Sequence, residues 1–167
     1  DVPSFAAADD PATFLHALAT AGDAAVRALE ALSKPVVAAV QGAVAGAGLG
    51  IMLSADVIVS SASTKFVFAY PGIGLTPDCG VSWLLPRAIG QQRALSFALV
   101  NRPIKPETAL DWGMVSEVVE DSAARAAESA AGFAAGPAQA LGQARRLLRA
   151  GWSSSREEMG AEEASTI

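Results

Sequence analysis

The sequence holds very few of the residues that build the commonest catalytic and metal sites. It contains one cysteine, Cys79, and one histidine, His16. A single cysteine excludes a disulfide within the chain and fits a reducing compartment. A Ser-His-Asp triad would need His16 itself, and no nucleophile-elbow motif accompanies it. The same scarcity argues against a site of histidine and cysteine ligands, so we expect no metal.

Charge is scarce too, and its balance is acidic. Only 17% of the 167 residues are charged, the net charge is -5 and the pI is about 4.8, which argues against nucleic-acid binding. Hydrophobic residues make up 51% of the chain, enough for the core of one domain. An apolar excess of this kind often means that further surface is buried between subunits, so the composition is consistent with a homo-oligomer.

The start of the chain lacks a targeting signal. Residues 1–5 contain neither the basic nor the apolar region of a secretory signal peptide, and there is no initiator methionine. We therefore predict a cytoplasmic location and a chain that begins within a longer protein. The last helix, from Ser153, is likewise predicted to be cut short at Ile167.

What the sequence does have is a stretch from Lys34 to Leu53 around which the rest is organised. Its first half is rich in valine and bounded by Pro35, which predicts a fully buried strand. Its second half has glycines at 42, 46, 48 and 50 and then an apolar run. A strand, a glycine-rich turn and a helix start expose backbone N–H groups that bind an anion or a developing oxyanion.

Two other interpretations of this stretch compete with the oxyanion-binding turn. No charge occurs between Val36 and Leu53, which meets the length criterion for a transmembrane helix, and two GxxxG patterns overlap between residues 42 and 50. The stretch could also be a buried strand and turn without chemistry. Gln41 in mid-span and the crowded glycines argue against the membrane, so we expect no membrane partner and favour the oxyanion-binding turn.

The remaining pattern predicts strands followed mostly by helices, which is typical of an α/β core with a helical C-terminal part. We place the core at residues 1–120 and the helical region at 121–167. Predicted strands lie at 56–61, 65–68 and 115–119, and predicted helices at 11–33, 82–88, 91–99, 105–112, 121–134, from 137, and from 153. Gly22 could divide the first helix in two. We predict that Arg145, Arg146 and Arg149 form a solvated face.

Several motifs together carry a family resemblance that covers essentially the whole chain. They are Lys34–Gly42 with Gly46-Ala47-Gly48, then Asp56–Val59, and then Gly74–Gly80 followed by Trp83–Arg87. The chain resembles the crotonase superfamily, the enoyl-CoA hydratase/isomerases, and its last motif is most similar to the ring-epoxide isomerase branch of phenylacetate breakdown. The resemblance implies a superhelical core of repeated ββα turns, a helical C-terminal trimerisation region, and an N-terminal part missing from this chain.

The resemblance also implies what the protein binds. The substrate would be an acyl thioester of coenzyme A, with no further cofactor, and the assembly a homotrimer, often paired into a hexamer. Two backbone N–H groups would hold the thioester oxygen. One belongs to Ala47, with Gly46 and Gly48 beside it at the substrate; the other would lie just upstream of Asp1, because Asp1-Val2 resembles the end of that first loop.

The chain departs from the hydratase pattern at two positions. Hydratases carry two glutamates that hold and activate water, and the matching residues here are Gly50 and Tyr70, neither of which is a carboxylate base. Asp78 matches the catalytic aspartate of the isomerase branch, although it could instead cap the helix after Pro77. Tyr70 would line the acyl pocket or pack as an ordinary aromatic residue. We interpret Cys79 as a small packing residue rather than a nucleophile.

The sequence thus predicts an acyl-CoA enzyme that isomerises a double bond or a ring through a thioester enolate. Asp78 would move the proton and the Ala47 N–H would stabilise the oxyanion. Two alternatives stay open: an enoyl-CoA hydratase with atypical water activation, and a catalytically silent member that only binds acyl-CoA.

Overall fold

The structure, a computed structural model, describes Phe5 and residues 7–167. The helices are α1 (Pro11–Glu30), α2 (Ala47–Leu53), α3 (Val81–Ile89), α4 (Gln91–Val100), α5 (Pro106–Asp111), α6 (Ser122–Ala135), α7 (Ala138–Ala150) and α8 (Arg156–Thr166), with a 3-10 helix at Tyr70–Ile73. The strands are β1 (Val37–Val40), β2 (Ala43–Ala45), β3 (Val57–Ser61), β4 (Lys65–Val67) and β5 (Glu117–Val119).

Two successive ββα turns form the core. β1, β2 and α2 make the first turn, and β3, β4 and α3 make the second. Equivalent strands pair in parallel: Val37 lies opposite Val57, and Ala43 lies opposite Lys65. The chain therefore winds as a superhelix, which confirms the predicted repeat. β5 then pairs with β3 and completes a sheet in the order β1-β3-β5.

The stretch from Lys34 to Leu53 folds as β1, β2 and α2, so the transmembrane interpretation is wrong. No helix in the described part of the chain combines the length and the apolar character needed to cross a bilayer. Within the supposed glycine-rich turn, the three-residue strand β2 was not predicted. The predicted full burial of the first strand is also wrong: β1 is at one edge of its sheet, and most of its side chains are only half-buried.

The core lies between the strands and the helices that cover them. α2 packs on α3 and α3 on α4, while α6 packs on β1 and β3. The largest fully buried side chains include Phe66, Leu49 and Met114. Most predicted strands and helices are present with boundaries shifted by one to three residues. The division into a core ending at residue 120 and a separate helical region stays a prediction.

Helix α1 runs unbroken through Gly22, so the predicted division into two helices is wrong. A Cβ built on Gly22 would lie 2.6 Å from the Cys79 Sγ. The glycine therefore lets the helix approach the loop that carries Cys79, and neighbouring residues keep the helix continuous. Asp10 caps the start of α1, because its side chain accepts a bond from the Thr13 N–H.

Arg145 is buried, so the predicted solvated arginine face is wrong at this position. Its side chain is 6% exposed, and its Nε lies 2.6 Å from Oδ2 of Asp56, the residue before β3. Its other guanidinium nitrogens donate to the backbone carbonyls of Leu29, Glu30 and Leu32, where α1 ends. A guanidinium that is fully hydrogen-bonded in this way can be buried as an ion pair.

Arg149 completes this cluster from the same helix. Its NH2 lies 2.8 Å from Oδ1 of Asp56 and 2.6 Å from the Ser54 carbonyl oxygen. Burial raises the pKa of Asp56, but the bonds from the Val36 N–H and both arginines outweigh it, so the pKa lies below its ordinary value. Only Arg146 is exposed as predicted. The cluster ties α7 to the start of β3 and the end of α1.

Candidate active site

A strained turn at Ala69 sets the position of Tyr70, which precedes the loop that carries Asp78. Ala69 has φ 67° and ψ -38°, and the Tyr70 N–H donates to the Phe68 carbonyl oxygen at 2.9 Å, which makes a γ-turn with positive φ. The side chain of Asn101, just after α4, accepts the Ala69 N–H at 3.0 Å. A non-glycine residue persists in this conformation only where its surroundings hold it. Asn101 was not predicted to take part in the site.

Tyr70 and Asp78 are hydrogen-bonded to each other. The phenol hydroxyl donates to Oδ1 of Asp78 at 2.6 Å, and Tyr70 is only 5% exposed. Burial, and then the bond to Asp78, raise the pKa of Tyr70 well above its ordinary value, so the phenol stays neutral and donates. The competing interpretation of Asp78 as a helix cap is wrong: Gly80 is the N-cap of α3, and no side chain caps that helix.

The glycine-rich turn lies against the same phenol ring. A Cβ built on Gly46 would lie 3.9 Å from Cζ of Tyr70, so a side chain at this position would be in van der Waals contact with the ring. Gly46 has φ 54°, which an L side chain rarely adopts. Ala47 follows as the first residue of α2 and is half-buried, and no hydrogen bond between described residues uses its N–H. This leaves the predicted oxyanion donor free for a ligand.

Gly50 is closed to any side chain. A Cβ built there would overlap the carbonyl oxygen of Cys79. Cys79 itself has φ 49° and is buried between Gly50 and Gly22. Burial, and then the nearby Asp78 carboxylate, raise the pKa of its thiol to about 11. A thiol that stays protonated at neutral pH is a poor nucleophile, which fits the packing role predicted for it.

The structure therefore brings Gly46, Tyr70 and Asp78 together, with Ala47 next to Gly46 in the chain. Gly48 differs, because a Cβ built there would face Val44 at 3.9 Å, and its contact with substrate stays a prediction. Asp1 and Val2, where the first oxyanion loop was expected to end, lie outside the described residues. Within the described residues, no three His, Cys, Asp or Glu side chains cluster as metal ligands.

Comparison with known proteins identifies the family. The family model of the enoyl-CoA hydratase/isomerases matches residues 10–166. The chain belongs to the enoyl-CoA hydratase/isomerase family. Membership of the crotonase superfamily and its fold, both predicted from the motifs, are thereby confirmed.

Two curated members of the family show how far the likeness extends. The 1,2-epoxyphenylacetyl-CoA isomerase of Escherichia coli is 47% identical over 96 residues, which is 58% of this chain and 37% of that protein. A probable enoyl-CoA hydratase of Rhodobacter capsulatus is 39% identical over 134 residues, which is 77% of this chain and 51% of that protein. The match thus spans 37% and 51% of the length of these two relatives.

A solved structure of the family extends the comparison to the backbone. A Mycobacterium abscessus protein assigned to the enoyl-CoA hydratase/isomerases superposes with a TM-score of 0.95 and 36% identity. The match covers 99% of this chain and 65% of that one. The whole described backbone therefore follows the family fold.

Proposed function

We propose that the protein isomerises an acyl-CoA thioester, moving a double bond or rearranging a ring through an enolate. The observation that carries this proposal is the Asp78 carboxylate, held at Oδ1 by Tyr70 beside the Gly46–Ala47 turn. Asp78 takes a proton from a carbon next to the thioester and returns it to another carbon, so the reaction has no net proton change. The Ala47 N–H donates to the thioester oxygen while that oxygen carries the negative charge.

Isomerisation is favoured over hydration by what occupies the two hydratase glutamate positions. At residue 50 the Cys79 carbonyl leaves no room for a side chain, and at residue 70 a neutral phenol is bonded to Asp78. Activation of water by a pair of carboxylates needs two of them, and neither residue 50 nor residue 70 supplies one. The likeness to a 1,2-epoxyphenylacetyl-CoA isomerase supports the same choice.

A substrate screen of the full-length protein tests this proposal. We expect double-bond migration with 3-enoyl-CoA, or rearrangement of a ring-bearing CoA thioester, and little hydration of 2-enoyl-CoA. Products would be separated by liquid chromatography and identified by mass. Rapid formation of 3-hydroxyacyl-CoA would instead establish a hydratase with atypical water activation. Binding of every thioester without turnover would establish a silent acyl-CoA binder.

Replacing Ala47 by proline should lower the isomerase kcat by about 10²–10³-fold, because it removes the oxyanion donor. Proline is well tolerated at the first position of a helix, so α2 should still form. The rate would be compared with that of Ala47→Gly, which keeps the N–H. Both variants must show the wild-type circular dichroism spectrum. A folded proline variant with a near-normal rate would exclude the Ala47 N–H from catalysis.

Assembly, cofactor use and location are further parts of the proposal. We propose a homotrimer or hexamer that needs no cofactor besides the coenzyme A of its substrate. The large apolar side chains of Trp83, Leu148 and Trp152 are exposed around one groove, which supports burial of further surface between subunits. The cytoplasmic location stays a prediction.

A further inference from the structure

We infer that Tyr70 is the positioning residue of the site: its hydroxyl holds Oδ1 of Asp78 so that Oδ2 is the oxygen that carries the proton. This inference rests on the proposed isomerase function and assigns a role to a residue for which the sequence predicted only pocket lining or ordinary packing. The contact that carries it is the 2.6 Å bond between the phenol hydroxyl and the carboxylate.

The buried phenol ring is held by aromatic packing. Phe68 meets it edge-on, with ring centroids 5.1 Å apart, and Phe97 in turn packs edge-on against Phe68. On the side of the glycine-rich turn, a Cβ built on Gly46 would lie 3.9 Å from Cζ, the ring carbon that bears the hydroxyl. A side chain with two rotatable bonds in such surroundings has its hydroxyl oxygen fixed in place. The donor is therefore preorganised before substrate arrives.

The backbone before Tyr70 also holds this residue in place. Ala69 keeps its positive φ because Asn101 accepts its N–H, and the Tyr70 N–H closes the γ-turn onto Phe68. Strained residues that are held by side chains from another element cluster at functional sites. Here the strained residue directly precedes the tyrosine whose hydroxyl donates to Asp78.

For the half-buried Asp78 carboxylate to act as a base, one of its oxygens should be fixed by a hydrogen bond and the other left for the substrate proton. Tyr70 is the one side chain in the described part of the chain that donates to the Asp78 side chain. The bond fixes the plane of the carboxylate and leaves the lone pairs of Oδ2 for the substrate proton. A neutral phenol donates this bond and does not itself compete as a base. Without it, the carboxylate can rotate away from the reacting carbon.

The first test is Tyr70→Phe in the full-length protein, which removes one oxygen atom and keeps the packed ring. We expect kcat to fall by about 10- to 100-fold, the cost of a misplaced catalytic group, while KM stays within about twofold. The control is Thr64→Val, which removes a buried hydroxyl whose bond goes to the Val40 carbonyl oxygen, away from Tyr70 and Asp78. Thr64→Val should leave kcat unchanged.

A second measurement tests the hydrogen bond between Tyr70 and Asp78 without relying on activity. Tyr70 is the only tyrosine of these 167 residues, and subtracting the ultraviolet titration of Tyr70→Phe from that of the full-length wild type isolates its tyrosinate signal. Free tyrosine ionises near pH 10. In the wild type tyrosinate should form only at a higher pH, and Asp78→Asn should move its formation to lower pH, because no carboxylate then opposes the phenolate charge. If tyrosinate formed at the same pH in the wild type and in Asp78→Asn, the hydrogen bond between Tyr70 and Asp78 would be overturned.

The outcomes separate this inference from the function on which it rests. A kcat loss in Tyr70→Phe with unchanged KM, and none in Thr64→Val, supports positioning. If Tyr70→Phe keeps the wild-type kcat while Asp78→Asn loses activity, the positioning role is overturned and the isomerase proposal stands. If Asp78→Asn also keeps its rate, the positioning role and the assignment of Asp78 as the base are both overturned, whereas the isomerase activity itself is tested by the substrate screen.

Discussion

Asp78→Asn is expected to lower the isomerase rate by about 10²–10⁴-fold, the usual span for loss of a general base, with little change in melting temperature. The amide has the size of the carboxylate, and its oxygen can still accept the Tyr70 hydroxyl bond. What it lacks is a basic oxygen for the substrate proton. No helix cap is lost either, because α3 begins at Gly80 without a side-chain cap.

Rate and thermal unfolding would be measured on the same two samples, with Asp121→Asn as the matched control. Asp121 is a true N-cap, since its side chain accepts the Ala124 N–H at the start of α6. Asparagine caps about as well as aspartate, so this control should change neither rate nor stability. An Asp78→Asn protein with the full isomerase rate would exclude Asp78 as the base and would require another group to move the proton.

Arg145→Met is expected to lower the free energy of unfolding by about 3–5 kcal/mol, because it leaves a partly buried carboxylate with one partner fewer. Methionine keeps the apolar part of the side chain but supplies no donor to Asp56. It also leaves the carbonyl groups at the end of α1 without the donors that now satisfy them. A buried acceptor without a donor adds to the loss.

Urea unfolding at neutral pH would measure this loss against Arg146→Met, one residue along the same helix. Arg146 is exposed and pairs with Glu162 at 2.8 Å, so its replacement should cost less than about 1 kcal/mol. Similar midpoints for the two variants would show that the cluster around Asp56 contributes no more than a surface ion pair. If Arg145→Met, but not Arg146→Met, no longer unfolds in a cooperative transition, the variant has lost its stable fold, which also agrees with the prediction.

Local pattern predicted most of the fold. Strands were predicted at the valine-rich run after Pro35 and at 56–61, and helices at 11–33 and 121–134. All four are present within three residues of these positions. The errors at Gly22 and Arg145 have a common cause. Each depends on a distant segment, the Cys79 loop in one case and the start of β3 in the other, and no local pattern encodes such a contact.

The same limit applies to the site. The motifs identified Asp78 and Ala47, because both lie in long stretches that resemble the family. They could not predict the bond between Tyr70 and Asp78, which depends on the positive φ of Ala69. That φ depends in turn on Asn101, more than thirty residues further along the chain. The one sequence signal was an asparagine after a helix, a position that favours left-handed backbone but does not indicate a partner.

The close approach of the Cys79 carbonyl to Gly50 has a consequence for how activities can interconvert within this family. Introducing a glutamate at residue 50 would push away the loop that carries Asp78, since the new Cβ and the carbonyl oxygen would occupy the same space. Acquiring the water-activating residue would thus displace Asp78, the residue that we propose moves the proton. On this backbone the two activities are alternatives, and a mutational route from one to the other must begin with the loop at 78–80.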